Sequence, residues 1–331
     1  MGINRRDFLK LSAGSGLLLA TDAVPVLAAP KSPPPEAVGI LYDATLCIGC
    51  KSCMVNCKRV NATEPGGALN RPERGIPYDH ITPEKIYDAP TDLSATTVNI
   101  IKTYKSGTGL NKDTVENGFS FAKHHCMHCV DPACVSVCPV TALHKDPVTG
   151  AVTYDKQKCI GCRYCQVACP FDIPKFEWAY NSPRIVKCQL CHHRYASGGY
   201  AACCEFCPSG ASLFGKVADL RQEAERRLTL TPGTYYDYPV KRIDSGQVLP
   251  TKVAAYVNHV YGLTEAGGTQ YMHLAGVPFD RLGFNPRITD QAYPDLTWSY
   301  VKKVPVLVFA LLVAGSASQF LTRRKEGEKR S

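Results

Sequence analysis

Apolar positions fall along this chain in a few short runs separated by long stretches that keep no period. Residues 96–103 hold a β-branched core, Val98-Asn-Ile-Ile-Lys-Thr-Tyr104, which predicts a strand. Residues 217–228 place apolar side chains at helical spacing with Glu and Arg on the outer face, which predicts an amphipathic helix. Val140-Thr-Ala-Leu143 reads as a short helix, and residues 146–154 read as a hairpin turning at Thr149-Gly150. Residues 58–119 form an insertion rich in turns, and residues 245–298, full of Tyr, Gly and Pro, read as an irregular extension wrapped against the core or a partner. Two further runs lie near the ends of the chain. Residues 11–20 are apolar and rich in Gly and Ala, and residues 304–321 carry no charge. At 1.5 Å per residue the latter would reach about 27 Å, which predicts a transmembrane helix over 300–322 with Trp298 and Tyr300 as interfacial aromatics.

The first of these end runs follows Asn4-Arg5-Arg6-Asp7-Phe8-Leu9-Lys10 and precedes Val26-Leu27-Ala28-Ala29. Arg5 and Arg6 before a short hydrophobic region resemble the twin-arginine export address of bacteria, used by proteins exported already folded, so residues 1–29 read as that signal. Beyond the second run, Arg323, Arg324, Lys325, Lys329 and Arg330 outweigh Lys302 and Lys303 on the other flank, which puts the basic tail 323–331 in the cytoplasm. The expected location is the periplasmic face of the bacterial inner membrane, with the body exported and one C-terminal helix as its anchor.

Composition adds one decisive feature, 17 cysteines among 331 residues. Sixteen of them form four groups. The first is Cys47-x2-Cys50-x2-Cys53-x3-Cys57, and the second is Cys126-x2-Cys129-x4-Cys134-x3-Cys138-Pro139. The third is Cys159-x2-Cys162-x2-Cys165-x3-Cys169-Pro170, and the fourth is Cys188-x2-Cys191, a loop, then Cys203-x3-Cys207-Pro208. Cys203 keeps the x3 interval to Cys207 and Cys204 does not, so Cys204 is the spare. Three cysteines at x2 intervals wrap a tight loop around one face of an iron-sulfur cubane, with backbone N–H groups turned toward its sulfurs. The fourth thiolate lies too close in sequence to close the same cage and goes to another cluster. Zinc needs only two C-x2-C pairs and has no use for a third cysteine at x2, and disulfides packed this densely would be strained. Cys188-Gln-Leu-Cys191-His192 matches the attachment motif of a c-type haem, but that use would take two cysteines from the fourth group.

The groups set the expected fold. The second and third, with the hairpin between them, outline a two-cluster ferredoxin, and the first and fourth complete a second such unit only by folding back over it. The fold expected is therefore α+β: two interleaved ferredoxin-like two-cluster units over 38–215 with the insertion at 58–119, a helix and irregular extension over 216–298, and one C-terminal transmembrane helix. The formal charge of +9 suggests nucleic acid, but the positive residues are scattered. Sixteen thiolates around four cores of charge roughly +2 would also cancel about 8 of it. Nucleic acid is not an expected partner. No phosphate-binding glycine loop, nucleophile elbow or zinc-protease motif occurs, so no catalytic residue is expected.

With these residues in hand, the sequence resembles the four-cluster ferredoxin subunits of exported membrane oxidoreductases, most closely the HybA type found with membrane-bound, quinone-reducing nickel-iron hydrogenases. Leu41-Tyr-Asp-Ala-Thr-Leu-Cys-Ile-Gly-Cys50, Ser106-Gly-Thr-Gly-Leu-Asn-Lys-Asp113, Cys126-Met-His-Cys-Val-Asp-Pro132, Lys175-Phe-Glu-Trp178 and Gly267-Gly-Thr-Gln270 carry the likeness. The resemblance implies four [4Fe-4S] clusters: Cys47, Cys50, Cys53 and Cys207 on the first; Cys126, Cys129, Cys134 and Cys169 on the second; Cys138, Cys159, Cys162 and Cys165 on the third; Cys57, Cys188, Cys191 and Cys203 on the fourth. Lys58 stands where the other groups have proline. The function implied is a non-catalytic relay of electrons from the small and large subunits of a nickel-iron hydrogenase to an integral membrane subunit that reduces quinone. The same cysteine groups would serve a molybdenum oxidoreductase such as formate dehydrogenase, and a zinc-dependent structural or assembly protein is the alternative from another class.

Overall fold

A computed structural model describes residues 31–70, 92–178, 183–301 and 303–328 of the chain. The export signal with Arg5 and Arg6, residues 71–91 of the insertion and tail residues 329–331 lie outside the described residues. The chain divides into a unit of residues 31–293, which carries every cysteine, and a second that includes residues 294–331.

The first unit opens with β1 (Val38–Asp43) and α1 (Ser52–Thr63), then β2 (Asn99–Lys105), β3 (Asn111–Lys112) and β4 (Gly118–His125). The middle consists of short pieces: α2 (Ala133–Ser136), β5 (Leu143–Lys145), β6 (Val152–Tyr154), α3 (Tyr164–Ala168), β7 (Lys175–Phe176), β8 (Ile185–Val186) and α4 (Ala202–Glu205). After it come β9 (Ser212–Lys216), α5 (Val217–Thr229), β10 (Tyr235–Pro239), β11 (Lys241–Arg242), β12 (Val248–Lys252) and β13 (Tyr271–Leu274).

The main sheet has the order β11-β9-β1-β13. Strand β1, Val-Gly-Ile-Leu-Tyr-Asp, is buried along nearly its whole length, as a strand covered on both faces should be. It runs antiparallel to β9, with Ile40 opposite Phe214, and parallel to β13, with Ile40 opposite Tyr271. A Cβ on Gly39 would sit 2.0 Å from the Gln270 carbonyl oxygen, so only glycine lets the chain entering β13 approach β1 this closely. Helix α5 covers the sheet, its Leu220 and Ala224 packing with Leu41, Leu213, Met272 and Leu274.

This topology brings the cysteine groups together in pairs. Strands β1 and β9 lie just before the first group and just after the fourth, and their pairing returns the chain to its start. Helix α1 of the first group packs on α4 of the fourth, and α2 of the second packs on α3 of the third. Between the latter two, β5 and β6 form the expected hairpin, with Gly150 at φ +67° in its turn.

Several expectations shift. The strand expected at 96–103 lies at Asn99–Lys105 and pairs with β4. No helix forms at 140–143, because Pro139 precedes it and Thr141 takes φ +51°; the helical turn lies earlier, at Ala133–Ser136. Residues 245–298, expected to be irregular, supply β12 and the sheet strand β13. On α5 the outer face expected for Glu and Arg is only partly exposed, since Glu223 and Arg227 are fully buried.

The C-terminal helices require a correction. Residues 293–301 form α6 (Tyr293–Val301) and residues 304–328 form α7 (Val304–Glu328). Among the described residues no helix is long and apolar enough to cross a membrane. Trp298 and Tyr300 belong to α6. In α7 the uninterrupted apolar stretch, residues 306–314, spans only about 14 Å before Gly315, Ser316, Ser318 and Gln319 break it, against a hydrocarbon core of roughly 30 Å. The transmembrane helix expected over 300–322, and anchoring on the periplasmic face through it, are overturned. What stands is an α+β fold without that span.

Candidate iron-sulfur site

The first C-x2-C turn of each group carries a left-handed residue immediately before its second cysteine: Gly49 (φ 69°), His128 (φ 49°), Gly161 (φ 72°) and Leu190 (φ 58°). In the first and third groups the residue after that cysteine is left-handed as well, Lys51 (φ 58°) and Arg163 (φ 64°). Alternation of hand curls successive amides inward into an anion-binding nest. The N–H of Gly49 donates to Cys47 Sγ at 3.4 Å and that of Leu190 to Cys188 Sγ at 3.3 Å. A non-glycine residue in this region costs roughly 1–2 kcal/mol, and such strain persists where function over-determines the backbone. The equivalence was legible at Gly49 and Gly161; at His128 and Leu190 no residue type announces it.

The third cysteine of each group then sits on a short helix: Cys53 on α1, Cys134 on α2, Cys165 on α3 and Cys203 on α4. Pro139, Pro170 and Pro208 follow the fourth cysteines Cys138, Cys169 and Cys207, and in those three groups the helix has ended by that cysteine. Lys58 has no such effect, so α1 runs on to Thr63 with Cys57 inside it.

The groups exchange members. Cys53 lies near Cys203, Cys47 and Cys207, and Cys57 near Cys191, Cys188 and Cys203. Cys129 has Cys169, Cys126 and Cys134 as neighbours, and Cys165 has Cys134, Cys159, Cys138 and Cys162. Cys50 is exposed on the loop that carries Cys47. The fourth cysteine of each group thus lies near thiols of another group. Cys134 beside Cys165, and Cys188 near Cys126, connect one set to the next.

Burial makes these thiols hard to ionise alone. It pushes Cys53, Cys165 and Cys169 up to about 12, and Cys134 and Cys191 up to about 11. It raises Cys47, Cys57, Cys129 and Cys188 too. Cationic iron displaces such protons. The vicinal pair splits: a hydrogen bond from Cys204 pulls Cys203 below the ordinary thiol range, while burial pushes Cys204 above it.

Three further observations test the fit to iron-sulfur clusters. Cys138, Cys159, Cys162 and Cys165 line one cavity together with apolar Val140, Leu143 and Ile185. Buried His128 accepts the Val152 N–H at Nδ1 (3.0 Å), leaving its Nε2–H without a protein acceptor in a cysteine loop, as a donor to a sulfur would be. Among the described residues no three His, Cys, Asp or Glu side chains converge on a single ion; the sulfurs around one zinc would stand only about 3.8 Å apart. The buried thiols and the inward-turned amides supply the donor set that an iron-sulfur cluster takes.

Of the other histidines, His124 Nε2 faces the Leu282 carbonyl (3.2 Å) and His125 Nδ1 the Cys126 carbonyl (2.7 Å). His192, of the haem-like motif, lies 3.5 Å from Asp146. Three lysines near the cysteines escaped sequence reasoning. Lys123 is fully buried, with Nζ donating to Ser212 Oγ (2.9 Å). Lys145 donates to the carbonyls of Cys129 and Gly150 and to Gln270 Oε1, and burial pulls it down to about 8. Buried Lys187 donates to the carbonyls of Val152 and Cys188. No sequence signal marked them, since the burial of each is set by tertiary packing.

The family described as the 4Fe-4S dicluster domain matches residues 118–217. Over 296 residues the chain is 45% identical to the hydrogenase-2 operon protein HybA of Escherichia coli O157:H7, covering 87% of this chain and 85% of that protein. The HybA protein of Shigella flexneri matches to the same extent. The formate dehydrogenase-O iron-sulfur subunit of Escherichia coli K12 is 33% identical over 241 residues, covering 72% of this chain and 70% of the relative.

Proposed function

The chain belongs to the HybA family, and from that premise we propose that it is a non-catalytic relay carrying electrons through four [4Fe-4S] clusters from the small and large subunits of a nickel-iron hydrogenase to an integral membrane, quinone-reactive subunit. The observation that carries this reading is the exchange of cysteines between groups that share one left-handed turn. Cys47, Cys50, Cys53 and Cys207 would hold one cluster, and Cys57, Cys188, Cys191 and Cys203 the next. Cys126, Cys129, Cys134 and Cys169 would hold a third, and Cys138, Cys159, Cys162 and Cys165 the last. A bound cluster supplies one-electron redox chemistry at a potential set by burial, nearby charge and N–H to sulfur hydrogen bonds.

The chain's own groups do the rest. The nests aim amide hydrogens at the thiolates, and the lysines set positive charge beside anionic sites. The side chains around the cysteines offer donors and positive charge.

Metal analysis of the full chain isolated with its partners tests the reading. The expected result is about 16 iron atoms per chain, no zinc, and nickel confined to a copurifying protein, with interacting paramagnets in the low-temperature spin resonance of the reduced sample. Stoichiometric zinc, or a freshly isolated iron-free chain, overturns it.

A further inference from the structure

Lys123 is a buried charge set among cysteines. It lies on β4 opposite Ile101 of β2 and is wholly inaccessible to solvent. Its Nζ donates to the neutral Ser212 Oγ at 2.9 Å and reaches Cys203 as a second hydrogen-bond partner. No carboxylate among the described residues forms an ion pair with it. Arg227, by contrast, has Asp43 and Glu223 within 2.9 Å. The groups able to carry negative charge in its field are Cys203, Tyr271, Cys53 and Cys204, with Cys57 beside them; of these the thiols are the ones that would ionise on a cluster. Cys53 and Cys203 belong to two different ligand sets of the proposed relay, so one cation stands between two of its clusters.

A buried ammonium without a counter-charge is unfavourable, and a single hydroxyl does not balance it. Four thiolates around a core of roughly +2 carry a net charge of about −2, and one more negative charge on reduction. A fixed cation at that boundary stabilises each reduced form more than its oxidised form, because the reduced form holds the larger charge. We propose that Lys123 is a positioning charge that raises the reduction potentials of the two clusters held by the Cys53 and Cys203 sets, making them electron-accepting steps of the relay. This rests on the reading given under Proposed function and concerns the charge of Lys123, not its titration.

The test is a redox titration followed by spin resonance, with iron counted in the same samples, on the full chain isolated with its partners. Lys123→Met removes the charge and keeps the stem. With iron content unchanged, one or both couples should fall by at least tenfold in the ratio of reduced to oxidised form, about 59 mV for one electron. Lys123→Arg keeps the charge and should leave them in place. Unshifted couples in a fully loaded Lys123→Met protein overturn the proposal while leaving the relay intact. If Lys123→Met does not load iron, Ser212→Asp decides, since it neutralises the ammonium where it stands: lowered couples support the proposal and unchanged couples overturn it. An iron-free wild-type chain sinks both this proposal and the relay.

Discussion

The adjacent thiols of Cys203 and Cys204 show how much one position along a helical turn decides. Both are buried on α4, yet only Cys203 keeps the three-residue interval to Cys207 and has both Lys123 and the Cys204 thiol as hydrogen-bond partners. Cys204 is completely buried, and its hydrogen bond to Cys203 makes it a neighbour of the ligand set. Replacing Cys203 with alanine should therefore remove about 4 of about 16 iron atoms, whereas Cys204→Ala should keep the full count; iron analysis and the visible absorption of the two purified variants check this. The expectation that Cys204 is the spare comes from spacing alone. The left-handed turns at His128 and Leu190 were not legible, because a side chain's identity reports backbone hand only where glycine is required.

At the scale of elements, α5 is held to the sheet by a charged contact that its amphipathic pattern did not reveal. Arg227 donates to Glu223 Oε1 and to Asp43 Oδ2 at 2.9 Å each, and its guanidinium lies 4.8 Å from the Tyr238 ring centre. Tyr256 adds a 2.7 Å hydrogen bond to Asp43, and Tyr236 donates to Glu223. The network joins β1, α5, β10 and the chain after β12, and all three charged residues are fully buried. Arg227→Met would leave the buried Asp43 without a cationic partner, while Glu223 keeps its ion pair with Arg226. The substitution should cost about 3–5 kcal/mol, read as a lowered thermal midpoint by calorimetry. The triple variant with Asp43→Asn and Glu223→Gln should recover much of that loss, because matched removal takes away the unpaired charge as well.

For the whole molecule, the division at residue 293 separates the cysteine-bearing unit from the C-terminal helices. Every cysteine, every left-handed ligand turn and each buried lysine beside them lies within residues 31–293. Deleting residues 304–331 should leave iron content and the spin-resonance spectrum unchanged, since every cysteine lies within residues 31–293; metal analysis of the truncated chain checks it. The amphipathic helix at 217–228 and the hairpin around Gly150 were readable because their signals are local, a helical period and a turn residue. Strand β13 was not, because its place is set by pairing with β1 more than 200 residues away.

By itself the sequence determined the chemistry: thiol type, number and interval are covalent facts, and no folding pathway changes them. Spacing within a group dictates that three cysteines share a loop and that the fourth is turned away. The order of the groups already implied which of them meet; tertiary structure decided how, with α1 on α4 where β1 pairs with β9, and α2 on α3 across the hairpin. It also decided where buried charge sits. A lysine in a strand looks like any solvated lysine until the sheet closes over it, and apolar length along a chain becomes a membrane span only if one helix carries enough of it without interruption.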